Sequence, residues 1–299
     1  MAIINVDTGT LITEAQYNSL QARVQEIMGT GQSTFGYGQS NLSSSSVLAG
    51  QLVTATQLNN LFADIRRAHY HQTGNLPTNV SDVAVGDLID AGTKTSPLGF
   101  MDYDAAIETI SSNSLSAANN AQAAISGLES SRGPGWNTNI SYEIYVDFAN
   151  ANQRRFFFNS GGQFKFYARL TGGSTPKDTD WSTLLNNANV VTFNYTNTTT
   201  NGSGTGSTIG NYDLTTTYQQ IFTKTGSGAY AANDYTIRAK REGDTRIWFQ
   251  IQFNDDAGPN PNYDETVQGT ITAYFEEVRA TNATYVSVSQ PTYTKHSNL

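Results

Sequence analysis

The period of the hydrophobic pattern changes once along this chain, and that change limits the folds it can adopt. Before Arg132-Gly133-Pro134-Gly135 the apolar residues recur at three and four; after it they alternate with polar neighbours. A spacing of 3.6 belongs to a helix with one buried face, and a spacing of two to a strand with one buried face. Glycine and proline at the switch mark a boundary. The expectation is an α+β chain with a helical region over 1–132 and an antiparallel β-sandwich, jelly-roll-like, over 133–299.

Within the first part a segment is duplicated with a period of 41 residues. Leu11-Ile12-Thr13-Glu14-Ala15-Gln16-Tyr17-Asn18-Ser19-Leu20 aligns with Leu52-Val53-Thr54-Ala55-Thr56-Gln57-Leu58-Asn59-Asn60-Leu61, and the match runs on through Val24/Ile65 and Ile27/Ala68. Each copy reads as an amphipathic helix with a threonine at the N-cap. Tyr17, Leu20 and Val24 form the apolar face of one copy, and Leu58, Leu61 and Ile65 that of the other. Between them, Gly29 to Gly50 is rich in glycine and serine and carries Phe35-Gly36-Tyr37-Gly38, which reads as a long loop rather than packed structure. Loops of this length are commonly functional, so Phe35 and Tyr37 join the helical faces as candidate partner-docking residues. A third helical pattern spans Asp102 to Ser130, with Ile107, Ile110, Ser114, Ala117, Ala121, Ala124 and Leu128 on a heptad-like seam. It fits either a helix packed on the first two or an oligomeric axis.

In the second part, Ile140, Tyr142, Ile144, Val146 and Phe148 alternate with polar residues. The runs Arg155-Phe156-Phe157-Phe158 and Gln163-Phe164-Lys165-Phe166-Tyr167 flank Asn159-Ser160-Gly161-Gly162, which predicts a hairpin. Further strands are expected over 190–195, 218–223, 235–240, 246–253 and 269–278. Gly202 to Gly210 reads as a flexible loop.

Composition excludes several functions. The 299 residues carry 17 Lys and Arg against 25 Asp and Glu, a net charge of −8, so the basic surface that phosphate binding demands is missing. Nucleic acid is not an expected partner. Nor is a membrane, since no apolar run approaches the roughly 18 residues of a span. The first residues lack the basic and apolar regions of a signal peptide. With no cysteine, and with Thr, Ser, Asn and Gly filling about two fifths of the chain, a β protein made in a cytoplasm and released by lysis fits better than a disulfide-stapled secreted module.

No catalytic constellation stands out. Cysteine nucleophiles and thiolate metal sites are excluded, and His69-Tyr70-His71 is the one histidine cluster, with its two rings expected to point apart and no third ligand implied. Asp255, Asp256, Asp264 and Glu265 surround Gly258-Pro259-Asn260-Pro261-Asn262 without calcium-loop spacing, as a solvated hairpin loop would. Paired carboxylates could also suggest a glycosidase, yet no local signature supports one. The expectation is no enzyme, no cofactor and no metal. Loop aromatics are the stronger feature. Trp136, Trp181, Tyr212 and Tyr230 are candidate host or glycan contacts, with Tyr263 a further loop aromatic.

Three segments carry a resemblance. Phe156-Phe157-Phe158-Asn159-Ser160-Gly161-Gly162-Gln163-Phe164-Lys165-Phe166, Asn262-Tyr263-Asp264-Glu265-Thr266-Val267 and the 54–61 run Thr-Ala-Thr-Gln-Leu-Asn-Asn-Leu resemble virion structural proteins of tailed bacteriophages, particularly those of cyanobacteria. The resemblance implies a non-enzymatic component of the tail, baseplate or neck fibre apparatus, or of a capsid decoration or head fibre. Its partners would be other virion proteins, further copies of itself and a host surface glycan, and its location the virion. Many weak interfaces held in register by symmetry supply the avidity such assemblies need.

Overall fold

The computed structural model describes residues 11–31, 35–78, 80–87, 100–117, 121–124, 127–258 and 266–299. The chain divides into two compact units. One comprises Met1–Ala121, Arg155–Gly161 and Arg279–Ser289, and the other Gln122–Arg154, Gly162–Val278 and Gln290–Leu299.

The first unit is built on three mutually packed helices, α1 (Glu14–Met28), α2 (Ala55–Thr73) and α3 (Phe100–Ser112). The duplicated helices start in the same way. Thr13 accepts the Gln16 N–H while Gln16 Oε1 accepts the Thr13 N–H at 2.8 Å, and Thr54 and Gln57 repeat this reciprocal cap at the same distance. Their apolar faces meet in a core of Tyr17, Leu20, Val24, Leu58, Leu61 and Ile65, with Phe62 stacked on Tyr103 of α3 at 4.2 Å. Arg23 of α1 bridges Asp104 and Glu108 of α3.

The third helix is shorter than its seam predicts. It stops at Ser112, the chain turns through Asn113–Ser116, and Ala121–Ala124 form a strand. Only Ile107 and Ile110 of the seam are helical. The small residues that follow bury too little apolar surface to hold a continuing helix. The Gly/Ser stretch after α1 is irregular, as expected, yet it packs. Tyr37 is buried, and the Tyr37, Gly38 and Gln39 N–H groups donate to the carbonyls of Ile27, Gly29 and Met28. Asp64, fully buried on α2, accepts the N–H groups of Ser43 and Ser44 and the Ser44 hydroxyl.

The second unit holds two antiparallel sheets. Its strands are β1 (Ala121–Ala124), β2 (Ser130–Arg132), β3 (Ile140–Asp147), β4 (Gln163–Thr171), β5 (Val191–Phe193), β6 (Thr198–Thr200), β7 (Gln219–Thr225), β8 (Asp234–Glu242), β9 (Arg246–Asn254), β10 (Thr270–Ala280) and β11 (Thr292–Lys295). One sheet runs β1-β10-β4-β5-β6 with β2 also paired to β10, and the other runs β11-β3-β9-β8-β7. They face each other as a sandwich across an aromatic core. Phe249 of β9 lies 5.6, 5.0, 5.3 and 6.1 Å from Phe164, Phe166, Phe193 and Phe275 of the opposite sheet. Such close offset and edge contacts add to the burial of each ring.

Two helices interrupt the expected all-β pattern. The Phe156-Phe157-Phe158 run belongs to α4 (Ala151–Asn159), not to a hairpin strand. Asn150 caps it by accepting the Gln153 N–H, and the three consecutive phenylalanines are all buried, so the helix is covered on more than one side. Gly161, at φ 84, takes the left-handed conformation that ends the helix. The other helix, α5 (Pro176–Ala188), begins at a Thr175/Asp178 capping box with proline at its first position, and packs on β4.

Candidate functional site

The duplication extends beyond the helices and builds an open apolar groove in the helical unit. The side chain of Asn18, five residues past the cap of α1, donates to the Val47 carbonyl and accepts the Val47 N–H at 2.9 and 2.8 Å. Asn59, its counterpart on α2, holds Val83 in the same two-bonded grip at 3.0 and 2.8 Å. Beyond each clasped valine the chain makes one turn, closed by Gln51 N–H to Leu48 O and by Asp87 N–H to Ala84 O. Gly50 and Gly86 occupy its third position with φ of 78 and 99, the conformation a type II turn requires there.

The second of these turns and the residues that precede the two helices line an open groove of about 500 Å³, with Leu11, Ile12, Leu52, Val53, Leu58 and Val83–Asp87 in its wall. Its rim is unusually apolar for a surface. Leu11, Leu52 and Val85 are 76%, 73% and 96% exposed, and Leu48 is also exposed. Among the described residues Asp87 is the one charged group in the lining, so these residues offer apolar burial and turn backbone rather than an acid–base pair.

Sequence alone places the docking residues one layer too deep. Tyr17, Leu20, Val24, Tyr37, Leu58, Leu61 and Ile65 are core residues, because the faces of the repeated helices are consumed in packing on each other and on α3. Phe35 is the exposed member, at 40%. A signal for the groove is nonetheless present in the sequence. Val47-Leu48-Ala49-Gly50-Gln51-Leu52-Val53 recurs as Val83-Ala84-Val85-Gly86-Asp87-Leu88-Ile89, and Val6-Asp7-Thr8-Gly9-Thr10-Leu11-Ile12 follows the same Val-x-x-Gly-x-Leu pattern.

The proposed glycan contacts also move inward. Trp136 and Trp181 pack together at 5.4 Å, and Tyr230 is buried in a short 3₁₀ turn; a ring with no free face cannot stack on a sugar. Tyr212 is exposed, and Tyr263 lies outside the described residues. Trp248, the third tryptophan, does reach the solvent side. Along β9 the side chains of Ile247, Phe249, Ile251 and Phe253 enter the core, which turns Arg246, Trp248, Gln250 and Gln252 to the other face. There Trp248 sits opposite Tyr145 and Lys240 in the ladders, its ring 4.7 Å from Tyr145 and 5.0 Å from His296.

Cations cover the neighbouring rings. The Arg246 guanidinium lies 4.2 Å from the Tyr145 ring and pairs with both Asp147 oxygens, and Lys240 Nζ lies 4.5 Å from the Tyr218 ring. Glu143 accepts from Tyr218 Oη and Gln250 Nε2 at 2.9 and 3.1 Å. Partial burial, followed by that carboxylate, pushes the Tyr218 hydroxyl above its ordinary range. The Trp248 indole N–H bond to Glu242, at 2.6 Å, holds that carboxyl below its usual range. The face is a polar aromatic ladder with its charges matched.

The histidine pair separates as expected. His69 Nδ1 lies 2.7 Å from the Asn75 carbonyl at the surface, whereas His71 is buried with Nε2 3.1 Å from the Ser160 carbonyl. Among the described residues no group of three or more His, Asp or Glu converges on a metal position, and no helix is long and apolar enough to cross a membrane. The acidic loop is only partly solvated. Asp256 is exposed and accepts from Asn139, but Asp255 is buried against Lys177; Asp264 and Glu265 lie outside the described residues. Compared with family models, curated proteins and solved structures, the chain matches none.

Proposed function

We propose that this chain is a non-enzymatic virion structural protein of a tailed phage, assembled in multiple copies in the tail, baseplate or neck fibre apparatus. The helical unit docks, and the β unit meets partners or host. The observation that carries this reading is the exposed groove beside the Val83–Asp87 turn, where Leu11, Leu52 and Val85 stand in water together. An apolar rim of this kind gains about 25 cal/mol per Å² when covered. The proposed occupant is an apolar segment of a neighbouring virion protein, and symmetry multiplies a modest contact into a stable one. The resemblance of the 54–61 run and the aromatic segment to phage structural proteins supports the same reading.

Labelled protein on purified particles tests it. Immunogold is expected on the tail, baseplate or collar. Leu52→Glu with Val85→Glu should abolish incorporation while leaving the helical circular dichroism intact, because both side chains are surface residues. Unlabelled particles, or wild-type incorporation of the double variant, sink the assignment, and label confined to emptied heads would make it a decoration or head-fibre protein. A host-glycan reading has its own observation, the solvent-side ladder of Trp248, Tyr145, Tyr218 and Lys240. It predicts binding of the whole chain to host cells that Trp248→Ala removes; a wild-type chain that binds no cells dismisses it.

A further inference from the structure

Lys177 and Asp255 present a chemical pairing that packing alone does not demand. Lys177 lies in the first turn of α5, Asp255 directly follows β9, and the two are 78 residues apart in the chain. Lys177 Nζ and Asp255 Oδ2 are 2.7 Å apart, with side chains only 2% and 1% exposed. Removing both charges from water costs several kcal/mol, so a buried pair of this kind is weak as a stabilising device. Nearby, Trp181 packs against Trp136 at 5.4 Å and Phe253 at 6.2 Å, with Phe253 stacked on Tyr235 at 5.1 Å. The chain has no cysteine, so a covalent staple in this sandwich must use other side chains.

We propose that Lys177 and Asp255 join in an intramolecular amide bond, formed by the folded chain itself, between Lys177 Nζ and Asp255 Cγ. The carboxyl carbon lies one C–O bond of about 1.2 Å beyond Oδ2, which places it no more than about 4 Å from the nitrogen and close to attack distance. Burial raises the Asp255 carboxyl above its ordinary range against the opposing pull of Lys177. The proposed reaction begins with a proton passing along the 2.7 Å contact from Nζ to Oδ2, which leaves an amine and a carboxylic acid. The nitrogen lone pair attacks Cγ and the C–N bond forms, with negative charge gathering on Oδ1. Among the described residues, Asp255 Oδ1, Trp181 Nε1 and Asn233 Nδ2 are all buried without a hydrogen bond of normal geometry, while the Trp181 and Asn233 side chains stand near enough to favour a charged Asp255 oxygen. They are the donors for that developing charge. The second amine proton follows to Oδ2, the Cγ–Oδ2 bond breaks and one water leaves. The sum is ammonium plus carboxylate giving amide plus water, with no oxidant, metal or cofactor required.

Intact mass of the purified full-length chain, read after denaturation, tests this directly. The expected mass is that of the sequence less one water, with a branched peptide after proteolysis that joins the Lys177 and Asp255 segments. Lys177→Ala and Asp255→Ala should each restore the full sequence mass, a readout taken on denatured chain that does not depend on their stability. A mixed population whose lighter form increases on incubation also supports the bond. A folded wild-type chain, verified by circular dichroism, that keeps the full sequence mass overturns it, as does a water loss mapped to any other residues.

Discussion

At the scale of single residues, the interior of the helical unit contains a titratable group held in its uncharged form. His71 is fully buried beneath Tyr37, whose ring it meets edge-on at 5.1 Å, and burial lowers its pKa to about 4 while the bond to the Ser160 carbonyl opposes the shift. The unfolded chain takes up this proton near the ordinary value of about 6.5. Stability from a neutral His71 is thus present above about pH 6.5 and is lost as pH falls through the window down to about 4, by up to about 3 kcal/mol. His71→Gln, which keeps a donor for Ser160, should flatten this part of the stability–pH curve relative to wild type. Denaturant titrations at pH 7, 5.5 and 4.5 measure it, and parallel curves for the two proteins would show that His71 is not the group responsible. This role was not visible in the His69-Tyr70-His71 triplet, because spacing of two reveals that the rings diverge but not which of them is enclosed.

At the scale of elements, the two repeat copies use one device to start a helix and another to hold the chain that returns along it. The reciprocal Thr/Gln caps satisfy N–H groups that a helix start leaves open, so Thr54→Ala should cost about 1 kcal/mol. The asparagine grip satisfies a backbone N–H and carbonyl of a segment that pairs with no strand among the described residues, and losing it removes both of those bonds from Val83. Asn59→Ala should therefore be the costlier change, at about 1–3 kcal/mol. Urea unfolding followed by helical circular dichroism gives both values; an Asn59→Ala variant less destabilised than Thr54→Ala would remove the grip from the account. Capping boxes are legible in sequence because they are local. The Thr175-Pro176-Lys177-Asp178 start of α5 was equally local, and the alternating strands around it obscured it. The grip was not legible, since it joins residues 24 and 29 positions apart. The hairpin expected at 155–167 fails for another reason: three consecutive phenylalanines suit a strand buried on both faces and a helix covered on more than one side equally well, and the surroundings chose the helix.

At the scale of the whole molecule, the sandwich depends on a few rings that touch across its two sheets. Phe249 is the centre of that set, in contact with Phe164, Phe166, Phe193 and Phe275, so Phe249→Ala should cost about 3–5 kcal/mol. A loss below about 1 kcal/mol in the unfolding transition of the β unit would contradict the central place given to it. The duplicated helices and most of the strands were determined by the sequence itself, because hydrophobic periodicity and capping are properties of neighbours along the chain. Strand order, the burial of Trp136 and Trp181, the solvent side taken by Trp248 and the meeting of Lys177 with Asp255 were decided only by tertiary structure. Alternation identifies two faces of a strand, but which ring on a loop becomes core depends on which distant element covers it. The groove stands between these cases: its Val-x-x-Gly-x-Leu pattern is written in the sequence, and its shape exists only once Asn59 holds the Val83–Asp87 turn beside the residues that precede the two helices.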